Sequence, residues 1–312
     1  MSTLTTKTGS PKRRLGDLVF ANLTRAAGLT ILVVLAGVAI FLTVQGAPAL
    51  GAKSVDLKGH ANFLGYVAPL VFGTLLAAAI ALAIALPLSL GVALAVSHFA
   101  PRRLAAPIGY VIDLLAAVPS VVYGLWGISF LGPQLGTVYQ WLGDHLGWIP
   151  LFAGTPLNDG RTILTAGMVL AIMVLPIITA ITREIFIQTP RLNQEAALAL
   201  GATRWEMVRL AVLPYGRSGI VSAAMLGLGR ALGETMAVAM VLSVGSGGVV
   251  SFKLLTASNP STIAANIALT FSDATSVQRN VLIASGLVLF VITFAVNFGA
   301  RAIVARYDTG SK

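Results

Sequence analysis

Apolar and polar positions alternate in long blocks along the 312-residue chain. Runs of apolar or small residues at 26–44, 67–96, 107–131, 162–181, 219–244 and 281–300 are separated by segments that hold most of the charges. A hydrocarbon core of ~30 Å takes ~20 helical residues, so each run has the length of a membrane-crossing helix. The pattern predicts an all-α integral membrane protein of six transmembrane helices over 26–305, flanked by tails at 1–25 and 306–312.

The runs are not uniform. The one at 67–96 exceeds the usual length and contains Pro87, so it is tilted, kinked or longer than the bilayer is thick. The third has Asp113 near its start and a Val118-Pro119-Ser120 break, where freed backbone groups need partners within the protein. Residues 132–160, with Tyr139, Trp141, Trp148 and many prolines and glycines, read as an irregular loop with short helical pieces and an aromatic belt. For the first run the rival is a signal peptide, since Ala47-Pro48-Ala49 mimics a cleavage site. The run outlasts the 7–15 residues typical of a signal's apolar region, which favours a retained helix.

Composition narrows the class. With 56% hydrophobic and 10% charged residues, and mean hydropathy +0.87, the chain falls well short of the ~25% charged residues of soluble domains. It has no cysteine, which excludes disulfides, thiolate zinc sites and cysteine nucleophiles. The net charge of +10 is dispersed among the loops rather than gathered on one face, so it describes topology and not nucleic-acid binding. Assigning loops by parity puts fifteen Lys and Arg on the side of the termini and five on the other, with Arg230 inside a run. The positive-inside rule then predicts cytoplasmic termini and a cytoplasmic segment at 184–217.

Arg230 and Glu234 are the exception to the apolar blocks. Counting ~1.5 Å per residue from Gly219 puts Arg230 roughly 17 Å into its run, about half the bilayer core. An ionisable residue there costs roughly 2.5 kcal/mol or more, which marks it as a functional candidate, and Glu234 four residues on would share its helix face. A guanidinium offers a planar fork of donors suited to an oxyanion. Glu234 can neutralise Arg230 or accept a hydrogen bond from a protonated oxyanion, and Thr235 follows it directly. The competing reading is a buried ion pair that only fixes packing.

The polar stretch before this run writes two short helices. Thr189-Pro190 offers a start, Arg191 to Leu200 suits a helix, Gly201 a stop, and Thr203-Arg204-Trp205-Glu206 a capping box. Leu198, Leu200, Trp205, Met207 and Leu210 lie among Arg191, Glu195, Arg204, Glu206 and Arg209. Such a surface suits either a cytoplasmic protein partner or the lipid headgroups.

Within that stretch Glu195-Ala196-Ala197, Gly201 and Leu213-Pro214 resemble the EAA loop of ABC importer permeases. Residues 117–127 (AVPSVVYGLWG) and 227–237 (GLGRALGETMA) are similar to the phosphate-specific permeases of that family, with Met236-Ala237-Val238 closer to the C-type than to the paired A-type subunit. The resemblance covers roughly 66–305. It implies an ABC type I importer permease fold and a heterodimer of homologous permease subunits. It also implies a cytoplasmic ATPase dimer that binds ATP and Mg, an extracytoplasmic phosphate-binding protein, and a bacterial inner membrane location. In that scheme Arg230, Glu234 and Thr235 lie on the substrate path, and Glu195, Ala196, Ala197, Gly201 and Arg204 couple to the ATPase. The A-type role, another oxyanion, or a proton-coupled secondary transporter or channel using Glu234 remain as alternatives.

Other candidates carry less. His60, His98 and His145 stand apart from any second ligand at metal-binding spacing. Gly245-Ser246-Gly247-Gly248 lacks the Lys-Ser/Thr of a phosphate-cradling loop, and no such loop occurs elsewhere, so ATP hydrolysis is expected in another chain. Gly227, Gly229 and Gly233 read as small residues that permit close helix packing.

Overall fold

The computed structural model describes residues 15–242, 250–256, 258 and 260–308, and all regular structure among them is helical. Lys7, Lys12, Arg13, Arg14, Lys312 and the Gly245–Gly248 stretch lie outside the described residues. The first helix, α1 (Leu15–Gly46), begins well before residue 26. Leu18, Val19, Phe20 and Leu23 carry the apolar surface past Asp17 and Arg25, the charges that delimited the run in sequence. This helix packs chiefly on α12 (Ser276–Asp308) and is otherwise exposed on all sides, as suits a lipid-facing span. A 3₁₀ turn at Ala47–Gly51 follows, and Ala49 is buried with Leu57, Val281 and Ala284.

The centre is α2 (Phe63–Leu94) against α6 (Ile163–Ile187). Asn62 opens α2 by accepting the Gly65 N–H at 2.7 Å, and a π-helical turn at Ala95–Phe99 extends the span to 37 residues. Ala77, Ala78, Ala81 and Ala85 are buried with Ala166, Leu170 and Val174 in one cluster. Lipid supplies no hydrophobic drive to pair helices, so small side chains that let backbones approach supply van der Waals contact instead. Ser89 adds a cross-helix hydrogen bond to the Leu175 carbonyl at 3.1 Å.

The third expected span bends by 90° where α3 (Arg102–Ala116) meets α4 (Ser120–Trp126). Pro119 has no N–H, which strips the Leu115 carbonyl of its ordinary helical donor. The Tyr123 hydroxyl donates to that carbonyl at 2.9 Å and the Val118 N–H at 3.3 Å, so the break is satisfied from within the protein. Beyond a π-helical turn at Gly127–Leu131 the chain continues as α5 (Gly132–Leu146). The first half of 132–160 is therefore a single helix and not an irregular loop. Pro133 sits in its first turn, where no N–H is needed, and Tyr139 is buried with its hydroxyl 2.8 Å from Thr165 Oγ1. Trp141 and Trp148 are exposed, as a belt requires.

Residues 191–212 form α7 (Arg191–Ala199), α8 (Arg204–Met207) and a π-helical turn at Val208–Val212, which leads into α9 (Leu213–Leu232). After α10 (Met236–Val241) and the short α11 (Ile263–Thr270) comes α12. Among the described residues four helices are long and apolar enough to cross a bilayer, or five if the bent pair counts as one span. The run expected as one further helix, 219–244, is instead the end of α9, a break, and α10.

Candidate functional site

The break falls on Gly233-Glu234-Thr235, inside the stretch singled out by its charges. Gly233 closes α9, its N–H donating to the Gly229 carbonyl at 3.3 Å, and the next residues leave the helix. Glu234 is buried, with 9% of its surface exposed, and its Oε1 accepts the Ala237 N–H at 3.1 Å. The carboxylate thus serves one of the unpaired donors at the start of α10, where the helix dipole also favours a negative charge. Thr235 turns its hydroxyl back to the Gly233 carbonyl at 3.2 Å. Arg230 and Glu234 consequently do not share a helix face. The i, i+4 ion pair of the competing reading is not formed, because the helix that would align the two residues ends between them.

Arg230 points elsewhere. It is exposed on the side of α9 and lines a cavity of about 700 Å³ between α6, α9 and α12, together with Ser222, Gly229, Asn297 and Arg301. No carboxylate is among the lining residues. The cavity holds two guanidiniums, an amide and a hydroxyl, a set that complements an anion. Sequence reasoning identified Arg230 but missed Ser222, Asn297 and Arg301. Arg301 was counted as a flanking charge because the last apolar run stops at 300. The usable signal was the Asn297/Arg301 spacing of four, which aligns both on one face of α12.

The glycines near the break divide by role. Gly227 packs closely: an added Cβ would come within 2.7 Å of Ile178 Cδ1. Gly229 has open space on its Cβ side and widens the cavity beside Arg230, so the packing expectation holds for Gly227 and not for Gly229. The two signature stretches meet here as well. Gly124 of α4 lies so near α10 that a Cβ would stand 3.0 Å from Ala237 Cα, and one on Gly127 would stand 2.9 Å from Val241 Cγ2. These close approaches tie the proline break of α3/α4 to the glycine break of α9/α10.

The other candidate surface is the hairpin of α7 and α8. None of α7 is buried, so Glu195 and Ala196 stand free on its face and Ala197 turns partly inward. Its start lies at Pro190 rather than Thr189, whose hydroxyl is buried and caps nothing. Gly201 ends the helix in a Schellman turn with φ +87°. The Ala202 N–H donates to the Ala197 carbonyl at 3.2 Å and the Gly201 N–H to the Leu198 carbonyl at 3.0 Å. Thr203 and Glu206 then form the capping box that spacing indicated. Arg204, in the first turn of α8, is exposed and borders a groove with Arg191, Glu195 and His98. Met207, Val208 and Val212 root the hairpin against Phe186 and Ala93, while Leu192, Leu200, Trp205 and Leu210 remain outside. At 90% exposure for Leu200 and 57% for Trp205, the tip is an apolar surface that no described residue covers.

The capping box gives the hairpin a pH dependence. Hydrogen bonds from the Thr203 N–H (2.7 Å) and hydroxyl (2.8 Å) hold the Glu206 carboxyl below its ordinary range. A depressed folded-state value means the contribution is fully present above the ordinary glutamate range and is lost as pH falls through the folded value. Hydrogen exchange should show protected amides at Glu206 and Met207 at neutral pH, with protection factors, taken relative to the intrinsic rate at each pH, that fall in acid. Unchanged protection across that range would show that the carboxylate does not hold the turn.

The histidines are occupied locally. His60 lies edge-on to Tyr66, His98 contacts Ser97 Oγ at 2.7 Å, and His145 stacks on Trp141.

Residues 85–309 match the family described as "Binding-protein-dependent transport system inner membrane component". The "Phosphate transport system permease protein PstC 2" of Mycobacterium tuberculosis is 46% identical over 96% of this chain and 95% of its own length. The "Phosphate transport system permease protein PstC" of Xylella fastidiosa (strain Temecula1) is 43% identical over 93% of this chain and 91% of its own length. Among solved structures, a chain of the bacterial alginate ABC transporter, in complex with an alginate pentasaccharide-bound periplasmic protein, superposes with a TM-score of 0.64. It is 15% identical, covering 93% of this chain and 95% of that one, and shows the shared fold. A membrane-length helical core, two helix breaks packed on one another and an exposed EAA hairpin all fall within or beside the matched region, and the chain belongs to the binding-protein-dependent transport system inner membrane components.

Proposed function

We propose that this chain is a permease subunit of an ATP-driven importer of inorganic phosphate, of the C type. The observation that carries the reading is Arg230: an exposed guanidinium near the end of α9, lining a cavity without a carboxylate. Facing lipid, such a group costs about 2.5–3.5 kcal/mol on insertion scales, so its surroundings are water, an anion or another protein. A second, homologous permease subunit would cover this side of α9 and close the cavity into a path. The relatives named as phosphate transport permeases support phosphate as the anion.

On this reading the termini and the α7/α8 hairpin are cytoplasmic, as the distribution of Lys and Arg favours. The exposed Leu200 and Trp205, with Glu195, Gly201 and Arg204, take the motion of a cytoplasmic ATPase dimer, which binds ATP and Mg. An extracytoplasmic binding protein delivers phosphate, and this chain performs no covalent chemistry. Thr235 and Glu234 set the break that ends α9 beside the path.

The test is uptake of radiolabelled phosphate by proteoliposomes holding the complete complex and binding protein. Uptake should require ATP, consume it with phosphate delivery and survive a protonophore. Uptake that persists without ATP and collapses with the proton gradient would overturn the reading in favour of a secondary transporter.

A further inference from the structure

We infer that Arg301 and Asn297 of α12 form a second anion-binding subsite on the cytoplasmic side of Arg230, so that phosphate passes between two guanidiniums within one cavity. The inference rests on the proposed phosphate path and extends it to residues that carry no motif.

Three observations lead to it. Arg301 and Arg230 line the same cavity of about 700 Å³, with no acidic residue among its lining, so the two positive charges repel unless an anion lies near both. Neither guanidinium has a hydrogen-bond or ion-pair partner among the described residues, which leaves their donors free for a ligand. Asn297, one turn before Arg301 on the same face, adds an amide whose N–H groups are likewise uncommitted. By contrast the Ser222 hydroxyl already donates to the Ser218 carbonyl at 2.9 Å and can offer only an acceptor.

The dimensions fit a relay. From Val221 to Arg230 the cavity lining follows α9 for about 13 Å, which leaves an anion room to move within the cavity. A single tight site deep in the membrane would hold its ion. A second cationic site nearer the cytoplasm lowers the step between the first site and water, because favourable binding must also be weak or divided enough to allow release. A flanking Arg301 that merely reaches to the headgroups would serve topology equally well, but would be indifferent to phosphate.

The absence of cysteine in this chain makes the test direct. Arg301→Cys introduces its only thiol, and the complex with unsubstituted chain, treated identically, controls for thiols in the partners. Phosphate uptake should fall about tenfold, the effect of losing one charge-assisted hydrogen bond. An ammonium-bearing methanethiosulfonate should restore at least half of the loss, a sulfonate-bearing one should not, and inorganic phosphate should slow modification severalfold. Uptake within twofold of the unsubstituted complex, equal effects of both reagents, or labelling indifferent to phosphate would each overturn the subsite. If Arg301→Cys fails to assemble, Asn297→Cys is labelled with the same protection expected and the same result decisive. Failure of the unsubstituted complex to carry phosphate would overturn the path itself.

Discussion

Arg230→Ala lowers phosphate uptake by the assembled complex on the order of a hundredfold, while the chain inserts and assembles normally. The magnitude is that of about 3 kcal/mol of charge-assisted hydrogen bonding removed from the deepest cation of the path. Normal assembly follows from the position of the residue. Arg230 projects from the side of α9 into a cavity, so truncation leaves no packed neighbour unsupported, and Ala is the strongest helix former. The Gly233–Thr235 break is held by Glu234 and the Ala237 N–H, neither of which touches the substitution. Arg230→Lys keeps the charge and loses the planar fork, so its uptake should lie between the two. The checks are phosphate uptake by proteoliposomes and recovery of the complex from detergent. Uptake at the normal rate would make Arg230 a structural residue.

Glu195→Lys and Gly201→Asp sever ATP hydrolysis from transport, lowering phosphate uptake at least about tenfold with assembly of the membrane helices unchanged. Glu195 lies on the exposed face of α7, and its replacement reverses a charge where no partner among the described residues is disturbed. Gly201 has no heavy atom within 4 Å of an added Cβ, so room is not the constraint. Its φ of +87° is, because L side chains in that region cost roughly 1–2 kcal/mol and the Schellman turn sets the angle between α7 and α8. The measurement pairs uptake with ATPase activity of the same proteoliposomes. Hydrolysis that continues without phosphate entry, or loss of the ATPase from the purified complex, is the expected outcome. Normal uptake in both variants would release the hairpin from its coupling role.

The two effects meet on one continuous segment. α9 continues from the hairpin through the π-helical turn at Val208–Val212 and ends two residues beyond Arg230. Phe186, buried against Met207, Val208 and Val212, anchors the hairpin end of that segment to α6, which also lines the cavity through Ile177. On the proposed reading, a displacement of the hairpin would pass along α9 toward Arg230.

Much of this molecule was decided locally and so was legible in the chain alone. Long apolar runs marked the spans at 67–96, 162–181 and 281–300 because a helix in lipid must satisfy its own backbone within one segment. The capping box at Thr203/Glu206 and the stop at Gly201 were readable because each closes hydrogen bonds over three to five residues. Arg230 and Glu234 stood out because a charge at that depth is costly in any fold. What the charges do to each other was not legible. Spacing aligned them on one face, but the Ala237 N–H competed for the carboxylate, and the contact of α4 with α10 at Gly124 and Ala237 holds the broken segment in place. The cavity likewise depends on which helices meet: Arg301 joins Arg230 only because α12 packs beside α9, a juxtaposition between residues some seventy apart that no local pattern encodes. Sequence by itself determined which long segments are apolar enough to span and which charged residues stand out in the apolar runs; the tertiary structure decided where those runs break and which residues share one cavity, since that is set by packing between distant helices.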